Sequence, residues 1–83
     1  MLTKSIPEPF VPTRVFDAAD IGGVLRLRRK ELGYTQKRLS DLMGISPRLI
    51  GEIERGKQAV GLQKVLDLAA NLGIDLTISI RGK

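Results

Sequence analysis

The 83-residue chain contains no cysteine and no histidine. Without cysteine there is neither a disulfide staple nor a thiolate metal site. Without histidine the commonest general base and the commonest metal ligand are both missing. No cofactor or metal is therefore expected, and an enzymatic role is poorly supported. No apolar run approaches the roughly 20 residues that a membrane span needs. The N-terminal stretch has one lysine and is broken by prolines, which is not the pattern of a secretory signal. The lack of cysteine fits a reducing cytoplasm.

What is present is ordinary in kind and small in amount. Apolar residues make up 42% of the chain, a usual share for a globular domain. A chain this short buries only about 60% of its unfolded surface, so it is marginally stable alone, and association with a second copy is a common remedy. The formal net charge is +5 and the isoelectric point about 10.1. Such a surface favours a polyanionic partner, because binding releases condensed counterions.

Residues 1–16 hold Pro7, Pro9 and Pro12. This spacing prevents a helix and favours extended backbone, read as an arm that is either disordered or laid across the domain. Asp17 suits an N-cap, with Asp20 in the first turn at the positive helix end. The helix it opens reaches Leu32 and stops at Gly33. Ile21, Leu25 and Leu32 form its inward face, with Val24 beside them. Arg29 falls on the same stripe, where a guanidinium has to be paired. Thr35 opens a second helix to Met43 with Leu39, Leu42 and Met43 on its apolar edge, and Gly44 ends it. Ser46-Pro47 opens a third, serine as cap and proline at the first helical position. It carries Leu49, Ile50 and Ile53 inward and ends near Arg55-Gly56. A fourth helix covers residues 62–72, with Leu62, Val65, Leu66, Ala69 and Leu72 at helical spacing, and Gly73 terminates it. The period then changes to two. Ile74, Leu76, Ile78 and Ile80 alternate with Asp75, Thr77, Ser79 and Arg81, which predicts a half-buried strand.

Two short helices joined by a glycine-containing turn outline a helix-turn-helix. A small residue is needed where the helices cross, and Ser40 supplies it. Gly44 fits the turn, and Ile50 and Ile53 lock the second helix of the pair onto the core. The stretch TQKRLSDLMGISPRLIGEIERGK resembles the Xre/Cro-type helix-turn-helix of phage repressors and bacterial regulators. The shared features are Thr35-Gln36, Leu39, Gly44, Ile50 and Ile53-Glu54-Arg55-Gly56, and the likeness extends from about Asp17 to Gly73.

The resemblance implies a DNA-binding function and assigns roles. It gives Arg29 a carboxylate partner, Glu54, as a structural ion pair. It makes the third helix the recognition helix, entering the major groove by its N-terminal end. Ser46, Pro47, Arg48 and Glu52 then face base edges, with Gly51 near them. Arg48 can grip guanine by two hydrogen bonds or contact phosphate only. Glu52 can accept from cytosine N4 or pair with a neighbouring arginine. Pro47, in place of a polar reader, offers van der Waals contact alone. Gly51 allows close backbone approach to DNA or is simply tolerated. Gln36, Lys37, Arg38, Arg55 and Lys57 are expected on phosphates, which positions the protein without reading sequence. Arg26, Arg28 and Lys30 read as a solvated face.

A lone strand with one apolar face cannot satisfy its own backbone groups. Ile74, Leu76, Ile78 and Ile80 are therefore expected to pair with the same strand of a second subunit about a two-fold axis, or else the strand folds back or pairs with the N-terminal arm. A helix-turn-helix followed by such a strand resembles the HipB-type antitoxins. That likeness implies a homodimer that binds a palindromic operator before its own operon and a HipA-type serine/threonine kinase toxin as partner. This chain departs in its proline-rich arm and in ending at Lys83, so a kinase interface is expected on the body or arm.

The expectation is an all-α fold: a lambda-repressor-like four-helix helix-turn-helix domain over residues 17–73. An extended arm (1–16) precedes it and a dimerisation strand (74–83) follows. The protein is expected in the cytoplasm, at the nucleoid when bound to DNA. A free-standing Xre-type regulator, or an interaction subunit that mainly inhibits or bridges another protein, are the rival roles.

Overall fold

The computed structural model describes residues 12–82. Four helices follow one another: α1 (Ala18–Glu31), α2 (Gln36–Met43), α3 (Pro47–Glu54) and α4 (Leu62–Asn71). Three of them start on a side-chain cap. Asp17 accepts the Asp20 N–H at 2.9 Å, and Asp20 in return accepts the Phe16 N–H at 2.8 Å. Thr35 accepts the Arg38 N–H at 3.0 Å, and Ser46 accepts that of Leu49 at 3.1 Å. Each bond satisfies a donor that the helix itself leaves free. α2 ends on Gly44 at φ 73°, a left-handed backbone that costs glycine nothing.

The core is formed by Leu25, Leu39, Ile50, Ile53, Leu68, Ala69 and Leu72. Ile21, Tyr34, Met43, Ile45, Leu49, Val60, Val65 and Ile74 pack around it. α3 lies against both α1 and α2. Part of its contact with α1 is made through backbone. A Cβ built on Gly22 would stand 2.5 Å from the Glu54 carbonyl oxygen, and one on Gly56 would stand 2.6 Å from the Ala19 Cα. Any side chain at either place would push α3 away from α1.

Four leucines expected inward are exposed instead: Leu32, Leu42, Leu62 and Leu66. Helical residues advance by about 100°, and the apolar arc of α4 is wider than the core can cover. The core takes the side bearing Val65, Leu68, Ala69 and Leu72. Leu62 and Leu66 lie on the far flank of that arc. Leu68, which periodicity passed over, is fully buried.

The C-terminal segment, expected as a strand completed by a second subunit, is irregular in the single chain. Among the described residues no strand forms, and residues 74–80 carry no ladder. The segment starts with an anchor, since the Ile74 N–H donates to the Ala69 carbonyl at 2.9 Å, and the Ile74 side chain meets the core. Beyond it Leu76, Ile78 and Ile80 are exposed, Ile78 at 99%. A strand requires a neighbour to complete its hydrogen bonds, and the described residues of a single copy supply none. The alternative pairing with the arm is not seen for residues 12–16, which are exposed and irregular. The rest of the arm lies outside the described residues.

Candidate nucleic-acid interface

α3 is amphipathic in a way that sets its outer face. Ile50, Ile53 and Glu54 are buried, and Leu49 packs at the core edge. On about 100° per residue, Arg48, Glu52 and Arg55 then point the other way, and Pro47 stands at the open start of the helix. Pro47, Arg48 and Arg55 are exposed and Glu52 is half-buried. Ser40 lies buried on α2, its hydroxyl donating to the Lys37 carbonyl at 2.7 Å.

Behind this face is a buried charge network. Arg29 donates to Glu54 through Nε at 2.7 Å and Nη2 at 3.0 Å. Its Nη1 donates to the Tyr34 carbonyl at 2.7 Å. Gln36 adds a third bond to the carboxylate, Nε2 to Oε1 at 3.1 Å. Among the described residues no buried side-chain nitrogen or oxygen lacks a partner, so the network meets the condition under which buried charges are tolerated. It ties α1, the start of α2 and the end of α3 together.

The outer residues form a second, wetter cluster. Glu52 Oε2 accepts from Arg48 Nε at 3.3 Å and from Lys57 Nζ at 3.2 Å. The Lys57 hydrogen bond, and then its charge, hold the Glu52 carboxyl below the usual carboxylate range. Arg48 adds to this, and partial loss of water opposes it. The Arg48 side chain is 85% exposed. Ser46 spends an oxygen lone pair on its cap and keeps a hydroxyl proton to donate. Gly51 is buried beneath two flexible side chains: a Cβ there would lie 3.0 Å from Arg55 Nη1 and 3.5 Å from Gln36 Nε2. The glycine thus makes room for Gln36 and Arg55 to lie across α3. On α2, Lys37 pairs with Asp41 at 3.0 Å, and Arg38 is exposed.

From the sequence Arg28 is expected on a solvated face. The structure gives it a task, because its Nε donates to the Leu72 carbonyl at 3.0 Å. It thereby caps the end of α4, where a cation complements the free carbonyls. Only an element far along the chain reveals this partner.

A helix-turn-helix family model, HTH_3, matches residues 25–78. The chain belongs to this family. The uncharacterized HTH-type transcriptional regulator y4mF of Sinorhizobium fredii is 34% identical over 70 residues, covering 84% of this chain and 92% of the relative. This protein is thus a DNA-binding, non-enzymatic transcriptional regulator of the Xre/Cro type. Among solved structures, a HipB variant in complex with an O2 20-mer superposes at TM-score 0.77 with 18% identity, covering 86% of this chain and 99% of that one. A HipA–HipB–O2–O3 complex contains a chain that superposes at 0.76 with the same 18% identity, covering 84% and 99%. At this identity the likeness concerns the fold. Among the described residues, no helix of the regulator is long and apolar enough to cross a membrane.

Proposed function

We propose that this regulator is a dimeric, sequence-specific repressor that controls its own operon as the antitoxin of a HipA-type serine/threonine kinase. The observation that carries the DNA-reading part is the outer face of α3. Arg48 projects from its first turn almost fully exposed, while Ile50, Ile53 and Glu54 fix the helix from behind. Ser46, Pro47, Arg48 and Glu52 form the base-reading set, while Gly51, expected beside them, is covered by Gln36 and Arg55. Gln36, Lys37, Arg38, Arg55 and Lys57 flank it as phosphate contacts.

Dimerisation is supported by the segment after α4. Leu76, Ile78 and Ile80 expose apolar side chains on a backbone without a ladder. Pairing with the same segment of a second copy supplies both the hydrogen bonds and the cover. Two recognition helices would then read a palindrome with half-sites about 34 Å apart. The kinase partnership is supported by the shared fold with HipB, one of whose structures includes HipA. The alternative of a free-standing regulator draws on y4mF, named only as a transcriptional regulator.

The test is a footprint of the full chain on DNA upstream of its own gene, over a series of salt concentrations, with the mass of the free protein. A protected palindrome and a dimer mass support the reading. A steep salt dependence without preference over random DNA removes the repressor. Co-purification with a neighbouring kinase separates the antitoxin from the free-standing regulator.

A further inference from the structure

Glu52 is an acidic residue on a face that approaches a polyanion, and its carboxylate is occupied on one oxygen by two cations of the same face. Arg48 reaches it from one helical turn before and Lys57 from beyond the end of α3. The Glu52 side chain is only 17% exposed, against 85% for Arg48 and 51% for Lys57. The carboxylate is thus flanked by its partners while they remain open to solvent. As an exposed helix pair, Glu52 and Arg48 add little to stability, so stability is not the main consequence.

We propose that Glu52 determines specificity by holding Arg48 and Lys57 to itself in the free protein, yielding them only on a site whose bases can donate to its carboxylate. This deepens the DNA-reading role of α3 and rests on it. B-DNA carries one negative charge per roughly 1.7 Å of axis. Arg48 engages Glu52 through Nε alone and Lys57 through a single bond from Nζ, so their remaining donors meet phosphate first, and the phosphates then compete with Glu52 for both cations. The uncovered carboxylate then faces the groove floor. Cytosine N4 and adenine N6 present N–H donors there, whereas guanine N7 and O6 and thymine O4 present acceptors that repel it. On most sequences the exchange strands an anion among anions. On a matched site the base edge replaces the lost cations. Glu52 therefore subtracts affinity from wrong sequences more than from the right one, which is how a repulsive element widens a ratio of affinities.

The experiment compares the full-length wild type with Glu52→Gln, which keeps size and shape and removes the charge. Kd is measured by fluorescence anisotropy on the footprinted operator and on a random duplex of equal length, across a salt series. The expected result is random-duplex binding about tenfold tighter in E52Q, with a salt slope steeper by about one ion per subunit. The operator gains less, so the ratio between the two falls. Lys57→Met is the converse. It uncovers the carboxylate and weakens random-duplex binding with a shallower slope. Equal gains on both duplexes for E52Q, or no gain on random DNA, overturn the proposal. If the wild type itself fails to prefer the operator and Arg48→Ala changes nothing, the groove-facing role of α3 has failed. Operator preference retained with an unchanged ratio in E52Q rejects the Glu52 role alone.

Discussion

Arg29 grips Glu54 through two hydrogen bonds where neither side chain meets water, the exposures being 7% and 1%. Removing one member leaves the other charged and buried. Arg29→Ala is expected to cost about 3–5 kcal/mol, most of the stability of a domain this small. The double change Arg29→Met with Glu54→Met removes both charges at similar volume and is expected to regain more than half of that loss. Urea unfolding followed by circular dichroism measures both. A double variant no more stable than Arg29→Ala would mean that the charges themselves are needed.

Gly22 and Gly23 are adjacent on α1 and should respond in opposite directions. Gly22→Ala forces a methyl group into the carbonyl oxygens at the end of α3 and is expected to destabilise by about 1–3 kcal/mol or more. At Gly23 nothing lies within 4 Å of an added Cβ. Gly23→Ala should therefore stabilise by about 0.5–1 kcal/mol, through helix propensity and a less flexible unfolded chain. Thermal melts of the two variants give the signs directly.

Arg48 and Arg38 separate reading from holding. Arg48→Ala is expected to cost about 1–3 kcal/mol on the operator and to relax preference at one base pair per half-site. Arg38→Ala should weaken binding evenly on all sequences and reduce the salt slope by about one ion per subunit. Anisotropy on an operator and its single-base variants distinguishes the two patterns. Even weakening by Arg48→Ala would move it to the phosphate class.

Ile78→Lys tests the second copy. It alters a side chain with no contact in the single domain, so the melting of the helices should be unchanged or nearly so. If the segment pairs across a two-fold axis, the change removes apolar burial twice. The dimer Kd should rise by at least about tenfold, and operator binding should fall with it. Sedimentation equilibrium reads the first effect. An unaltered monomer–dimer balance would place the contact elsewhere.

The Glu52 carboxyl supplies a pH test. Its folded-state pKa is depressed, chiefly by Lys57. The contribution of this tie to stability is therefore present above the ordinary glutamate pKa and lost as pH falls through the depressed one. A carboxyl carbon NMR titration should give Glu52 a midpoint below that of a glutamate in an unstructured peptide. Lys57→Met should raise the midpoint. No movement on losing Lys57 would remove that cause.

The helices were largely legible from the chain because their ends carry local chemistry. Asp17, Thr35 and Ser46 cap in the structure as their types suggest, and Gly44 closes α2. Interior geometry was less legible. A helical stripe tells which residues are apolar but not which part of the stripe faces the core, so it predicts Leu62 and Leu66 inward and passes over Leu68, whereas Leu68 is the buried one. Gly22 has no periodic signature, since its importance lies in the approach of a backbone 31 positions later at Ile53. The Arg28 bond to the Leu72 oxygen spans 44 positions and leaves no local trace. On the outer face of α3 the residue types were readable. That Lys57 joins Arg48 on Glu52 depends on how the chain turns after α3, where Gly56 takes φ 83°.

The glycine contacts of α1 with the end of α3 also bear on how such a regulator can change its target. Main chain rests on main chain there, so the pose of α3 owes nothing to the identity of the groups on its outer face. Pro47, Arg48 and Glu52 can be exchanged without disturbing the seat beneath them. New operators are thus open to this domain by outward substitution alone, while changes at the seat itself tilt every letter at once.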